Sequence, residues 1–309
     1  MSNTRIAQDK LALAARILCC PDCHADLGDT LICSTCGRSL AAKQDGIISA
    51  LPASMETNEQ SKDQLQDIID AVGREKQAEN IVLYERAFHD EQAPYYDALF
   101  ADSLPLGAYY RRLVRHQIYS YVRKQAFVVD LCCGTGKSSM PFLERGMTVI
   151  GIDVSREMLH SYKRKCEARG YGNILLIHAD ASRPPLRKQS CGAIQLIGGL
   201  HHIQESARCI STCCSALEDN GFLILHEPLK TGVTSKIAVV LEDLYAFADP
   251  VRVLKALGRR MGLKSNAATS SGVPVPDFTP YERPFTSQEE LVKLMPNQMV
   301  HLNCAPRGS

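Results

Sequence analysis

The chain has no tryptophan, no surplus of either charge and no apolar run long enough to cross a membrane. The missing tryptophan decides nothing. Charge balance is more useful. Lys and Arg total 35 against 34 Asp and Glu, a net charge of +1 over 309 residues. A dedicated nucleic-acid binder usually carries a basic excess or a basic face, so that class loses weight. A secretory leader is also missing: Arg16 interrupts the stretch from Leu11 to Cys20, and no small-residue cleavage site follows it. No internal repeat is visible. The protein reads as soluble and cytoplasmic, with no membrane partner.

Cysteine is what the chain has in plenty, thirteen in all. They are not spaced as a secreted disulfide framework. Several lie inside expected strands and helices, where a reduced cysteine serves as a small apolar residue. Four form a cluster: Cys20 and Cys23 in one C-x-x-C, Cys33 and Cys36 in a second, nine residues apart. Tetrahedral zinc takes four soft ligands, and two tight turns supply a pair each. Pro21 within one turn and Gly37 after the other suit that geometry. Cys19 reads as a bystander and His24 as a poorer ligand; a set of redox or core cysteines is the alternative. With four protein ligands the zinc would be structural.

Residues 17–52 therefore read as a zinc-ribbon module, and the polar residues 53–62 as a linker. Over 63–124 apolar residues recur at helical spacing (Leu65, Ile68, Ile69, Val72), which predicts a helical cap that packs on the next domain or covers its ligand. From 125 to 309 short apolar runs alternate with helical segments. The runs are Ala126–Leu131, Thr148–Ile152, Ile174–His178, Ala193–Ile197 and Gly221–His226, and the best helices are Ser155–Ala168 and Glu205–Glu218. That pattern predicts an α/β fold with a mainly parallel sheet and helices on both faces. Residues 229–286 break the alternation, with a helix at 236–261, and read as a lid-like insertion. A helix at Ser287–Leu294 and a strand at Met299–Cys304 are expected after it.

The strongest local signal runs from Val128 to Ser138, a strand entering a Gly-containing turn and then a helix. Small residues in such a turn let a nucleotide-like ligand approach the backbone. Ser139 stands where the dinucleotide fingerprint needs its last Gly. Leu131 stands where a phosphate-binding P-loop needs its first, although Gly136, Lys137 and Ser138 match that loop's end. A plain strand-to-helix turn is the remaining alternative.

Here the sequence resembles the class I S-adenosylmethionine-dependent methyltransferases, the type 11-like domain in particular, whose first motif is D-x-G-x-G-x-G. Asp130, Cys132, Gly134 and Gly136 occupy those places, with Cys132 for the first Gly. The resemblance extends in order along roughly residues 100–230. Val149–Ser155 is similar to the second motif, which implies that Asp153, beside Val154, accepts both ribose hydroxyls and that Met158 packs on adenine. A helix N-cap is the plainer role for Asp153, although Ser155 is available for it. His178-Ala179-Asp180-Ala181 resembles the third motif and implies contacts from Asp180 and the Ala181 N–H to adenine. Gly198-Gly199-Leu200-His201-His202 resembles the strand end of many small-molecule methyltransferases. Asp219-Asn220-Gly221 leads into the last strand, and His226 and Glu227 follow it. Residues 17–52, with Gly46–Pro52, resemble the zinc ribbon of ribosomal-RNA guanine methyltransferases of the RlmA type.

The resemblance implies a Rossmann-like, seven-stranded-type sheet and S-adenosyl-L-methionine as cofactor, beside structural Zn2+. Methyl transfer is an in-line displacement at an activated sulfonium carbon, so alignment and water exclusion matter most. A general base is needed only for an acceptor with a firmly held proton. His201, His202, His226 and Glu227 are its candidates. The [DN]-P-P-[YF] motif of exocyclic-amine methyltransferases is missing. That argues against adenine or glutamine amide nitrogen, while the neutral charge, the His201-His202 pair and the lid-sized insertion favour a small-molecule O, N or C acceptor. An RNA methyltransferase that docks RNA through the ribbon and through Arg111, Arg112, Arg115, Arg123 and Lys124 comes second. A non-catalytic cofactor-binding relative comes third. The family's closing antiparallel hairpin has little room between Cys304 and Ser309, so either an absent last strand or a truncated chain is expected.

Overall fold

In the computed structural model the described residues are 3–40, 44–56, 60–72, 78–99, 116 and 118–227, with short pieces at 267–268, 274–275, 289–290 and 293–294. Most of the insertion at 229–286, its helix included, the strand at Met299–Cys304, most of Ser287–Leu294, and Arg111, Arg112 and Arg115 lie outside them. Among the described residues no helix is long and apolar enough to cross a membrane.

Six strands make one parallel sheet: β1 (Ile48–Ser49), β2 (Phe127–Leu131), β3 (Thr148–Asp153), β4 (Ile174–His178), β5 (Cys191–Ile197) and β6 (Leu217–His226). Their order is β1-β4-β3-β2-β5-β6. Every residue of β2 and β4 is buried, as unbroken Val, Ile and Leu runs require when both faces are covered. Alternation along β2 separates the two sides. Phe127, Val129 and Leu131 join a cluster with Ala14, Ile17, Cys209 and Ile210, whereas Val128 joins Phe142, Leu159, Tyr162 and Cys166. Helices α1 (Asn3–Ile17) and α8 (Ser206–Ala216) thus cover one face, and α6 (Met140–Leu143) and α7 (Arg156–Ala168) the other. This is the Rossmann-like α/β architecture expected from the sequence.

The cysteine-rich segment is less separate than its composition predicts. Leu27, Leu31 and Leu40 belong to the same apolar cluster as β2 and β5. Leu18 bridges Leu186, the Cys19 N–H donates to the Pro185 carbonyl at 3.0 Å, and β1 is the sheet's edge strand beside β4. Arg156 grips Asp45 through both carboxylate oxygens, with His160 Nε2 at 2.8 Å. Burial opposes ionisation of Asp45, but His160, the Ile47 N–H and Arg156 hold its carboxyl down at about 2.

Between the module and the sheet stand α2 (Ala53–Glu56), α3 (Lys62–Val72), α4 (Ala78–Gln92) and α5 (Tyr96–Leu99). The apolar faces of α2, α3 and α4 close on one another through Met55, Leu65, Ile69, Ile81, Tyr84 and Phe88, with Leu51 and Val154 against them. Asp90 of α4 accepts from Ser155 Oγ at 2.6 Å and from the Glu157 N–H at 3.1 Å, which pins the cap to the start of α7.

Candidate active site

The sheet changes direction at β2, with β3 on one side and β5 on the other. Loops leaving the carboxyl ends of those strands diverge, and such a switch point leaves a crevice that ligands use. A cleft lies there. Cys132, Gly134, Asp153, Val154, Met158, Ala181 and Gly198, all expected from the sequence to surround a cofactor, line it together.

The turn after β2 holds three residues at positive φ: Cys132 at 55°, Gly134 at 51° and Gly136 at 78°. Glycine adopts that region freely, whereas Cys132 does so at a cost of about 1–2 kcal/mol. The glycines serve different ends. Gly134 presents its N–H to Asp153 Oδ2 at 2.7 Å and faces the cleft. Gly136 faces inward: a Cβ there would lie 2.1 Å from the Tyr162 ring. Asp130 is also behind the loop. It accepts from Ser138 Oγ at 3.2 Å and does not line the cleft. Asp130 and Gly136 therefore shape the loop from behind.

Asp153 ends β3. Its Oδ1 accepts the Ser155 N–H at 2.9 Å while Oδ2 takes Gly134. Ser155, not Asp153, caps α7 with its side chain, accepting from the Met158 N–H at 3.1 Å. The cap alternative for Asp153 thus falls away, and its carboxylate faces the cleft. Burial pushes both Asp130 and Asp153 up to about 6.

A prediction follows for Asp130. A carboxyl that holds its proton more tightly in the folded chain stabilises below its unfolded pKa, near 4, and loses that contribution as pH rises through about 6. Asp130→Asn keeps the shape without the charge. Its unfolding free energy should gain on that of the wild type between pH 4 and pH 7, by on the order of 1–3 kcal/mol. Urea midpoints at the two pH values measure this, and a difference independent of pH would contradict it.

Asp180 does not bring its carboxylate to the cleft. It accepts from the Ser182 N–H at 2.7 Å and Ser182 Oγ at 2.5 Å, and it lines a neighbouring groove with Met55 and Arg183. Ala181 alone of that motif faces the main cleft.

Of the four base candidates, only His202 lines the cleft. Glu227 is buried behind it. Its Oε1 accepts the N–H groups of Gly199 and Leu200 at 3.0 and 2.8 Å, and its Oε2 lies 2.6 Å from His201 Nδ1. Glu227 therefore fixes the turn after β5 and the His201 ring, which lies 4.2 Å from that of His202. The His226 carbonyl accepts from the Gly198 N–H at 2.7 Å, a backbone role. Gly199 is needed for closeness, since a Cβ there would lie 2.5 Å from that of Cys132.

The cap supplies residues that the sequence reading did not single out. Val82, Glu85 and His89 line the cleft from one face of α4, and Tyr96 from α5. Burial, then the nearby His202, lowers the His89 pKa to about 4, while burial raises Tyr96 to about 12. The i, i+3, i+7 spacing of Val82, Glu85 and His89 was the available signal.

Away from the cleft, the sulfurs of Cys20, Cys23, Cys33 and Cys36 lie within 4.8 Å of one another. The closest pairs are Cys23–Cys33 at 3.4 Å and Cys20–Cys36 at 3.5 Å. A ligand tetrahedron with Zn–S near 2.3 Å has edges of about 3.8 Å, so the four fit such an ion. The two knuckles are alike: His24 and Gly37, each following its second cysteine, have φ of 58° and 75° and donate to the Cys20 and Cys33 carbonyls. Cys19 lies outside the set, with its Sγ on the Leu186 carbonyl.

Comparison with known proteins places this geometry. Residues 128–221 match the family model described as a methyltransferase domain. The demethylmenaquinone methyltransferase of Renibacterium salmoninarum is 29% identical over 143 residues, 46% of this chain and 57% of that protein. The ubiquinone/menaquinone biosynthesis C-methyltransferase of Campylobacter jejuni is 27% identical over 114 residues, 35% and 46% of the two chains. Among solved structures, the PH0226 protein of Pyrococcus horikoshii OT3 is 19% identical, with a TM-score of 0.41 over 48% of this chain and 66% of that one. The chain thus spans about half the length of the curated relatives it matches. Residues 128–221 therefore resemble a methyltransferase domain, and the sheet order is that of a Rossmann-like fold.

Proposed function

We propose that the protein is an S-adenosylmethionine-dependent methyltransferase acting on a small-molecule O, N or C acceptor. One observation carries the reading: Asp153, Gly134, Met158, Ala181 and Gly198 meet around one cleft at the carboxyl ends of parallel strands. Asp153 would accept from the ribose hydroxyls, Met158 and Val154 would hold the adenine, and the Gly198–Gly199 turn would pass beside the sulfonium end. The acceptor would enter between that turn and α4. A mostly apolar cleft with no Lys or Arg among the described residues of its lining suits an uncharged small molecule rather than a phosphate backbone. Two relatives named for quinone methylation point the same way. The four cysteines would hold structural zinc, and their likeness to the RlmA-type ribbon keeps RNA as the contrasting acceptor.

Calorimetry with S-adenosylmethionine and S-adenosylhomocysteine tests the cofactor. The expected result is saturable binding of both, and no heat with either would end the reading. A gel shift with structured RNA at rising salt tests the acceptor class. Tight, salt-sensitive binding would move the assignment to RNA.

A further inference from the structure

Beneath α4 the cleft brings two cap residues, Glu85 and His89, against His202, and binding the cofactor uses none of the three. Glu85 Oε2 lies 3.3 Å from His202 Nδ1 and 3.6 Å from His89 Nε2. One donor atom from each residue falls within 4.8 Å of the other two. The side chains are 5%, 17% and 21% exposed, and all three line the cleft. Donors bound to one ion at about 2.0–2.2 Å are roughly 3 Å apart when they share a face of its coordination shell. Two of the three separations are near that already.

The surroundings also suit ligation. His89 Nδ1 lies 3.3 Å from Oε1 of Gln92, a buried residue one turn on, so Nε2 is turned to the group. A metal-bound imidazole is normally oriented by such a partner on its other nitrogen. Phe88 packs edge-on against the His89 ring at 5.3 Å. His201, fixed by Glu227, backs the His202 ring. Glu85 and Asp153 supply negative charge around the cleft, and among the described residues no Lys or Arg lines it. Two imidazoles and one carboxylate are a donor set for first-row transition ions, and three protein ligands leave open positions toward the cleft.

We propose that Glu85, His89 and His202 form a binding site for a divalent first-row transition ion, whose open positions take an oxygen donor of the methyl acceptor. The ion site rests on the three side chains alone; the acceptor role rests on the methyltransferase reading of the cleft. An acceptor bearing a phenol, enol or carboxylate oxygen is the class such an ion would hold and orient.

Cobalt separates this site from the cysteines. The full chain, stripped with chelator and titrated with Co2+, should give an intense thiolate-to-metal absorption and, separately, a weaker visible band. In Cys23→Ser/Cys36→Ser the thiolate absorption should vanish while the weaker band stays. In His89→Ala the reverse should hold, with affinity at the second site down at least about 10-fold. Glu85→Gln, nearly isosteric, repeats the test should the alanine variant misfold. The wild type minus either variant isolates the band should the cysteine variant misfold. A wild type that binds no Co2+ beyond the thiolate site overturns the proposal, as does a second band unaltered in both cleft variants. Calorimetry with S-adenosylmethionine on the same proteins keeps the two readings apart. Cofactor binding without a second Co2+ refutes the ion site alone. A second Co2+ without cofactor binding refutes the cofactor reading and leaves the site standing.

Discussion

Asp153→Ala is expected to weaken S-adenosylmethionine binding about 100-fold. Two ribose hydroxyls donating to one ionised carboxylate contribute on the order of 3 kcal/mol together, which is that factor in Kd. The alanine also releases the N–H groups of Gly134 and Ser155 that the carboxylate now holds. Part of the loss would then come from a loosened loop. Asp153→Asn separates the contributions: it keeps the volume and one acceptor oxygen and removes the charge, and should lose about 10-fold. The wild type should show a pH signature that neither variant has. Burial raises the Asp153 carboxyl to about 6, and only its ionised form accepts from both hydroxyls. Affinity should rise with pH through about 6 and level off above it. Folding stability from the same carboxyl runs the other way, fully present below about 4 and lost as pH rises through about 6. Titration calorimetry at pH 5.5, 6.5 and 7.5 reads the first trend. Equal affinity in all three proteins at pH 7.5, with thermal midpoints confirming that they are folded, removes Asp153 from the ribose.

Much of the sheet was legible because its signal is local. Unbroken Val, Ile and Leu runs between polar helical segments specify buried parallel strands whatever lies around them, and β2 to β6 fall where those runs do. The cofactor side of the cleft was legible for a related reason: Cys132, Gly134, Asp153 and Gly198 are at strand ends, and strand ends at a switch point converge. Sequence position could not say which way each side chain turns. Asp130 and Gly136 support the loop from behind, and Asp180 closes on Ser182. The acceptor side was not legible. Glu85 and His89 are on a helix more than 100 residues before His202, and only the cap's docking through Asp90 and Ser155 brings them together. The helix α1 is hard to read from sequence because the apolar stretch from Leu11 to Cys20 has the look of a leader. Its buried Ala14 and Ile17 complete a face of the sheet that pattern alone left open.

The same packing makes the cysteine prediction larger than a separate ribbon would warrant. Cys23→Ser and Cys36→Ser should each remove the one equivalent of zinc that the four cysteines would hold, measured by elemental analysis. A ribbon tethered by a linker would then unfold alone and leave the methyltransferase domain's melting unchanged. This ribbon is not placed that way. Cys20 and Cys33 are buried among Leu27, Leu31 and Leu40, which share one cluster with Val129 and Ile194 of the sheet. Arg38 reaches Glu56 at 2.6 Å and the Leu51 carbonyl at 3.1 Å, so the second knuckle also braces the start of the cap. With zinc as the proposed ion, its loss from the thiolates would cost β1 its anchor beside β4 and open one apolar face of the sheet to water. Metal binding energy is folding energy in such a site, and here it is shared with the whole domain. Each variant should be destabilised by on the order of 3–5 kcal/mol, with a single calorimetric transition moved to lower temperature. Two transitions in the metal-free protein, the upper one where the wild type melts, would mean that the shared apolar cluster does not couple them.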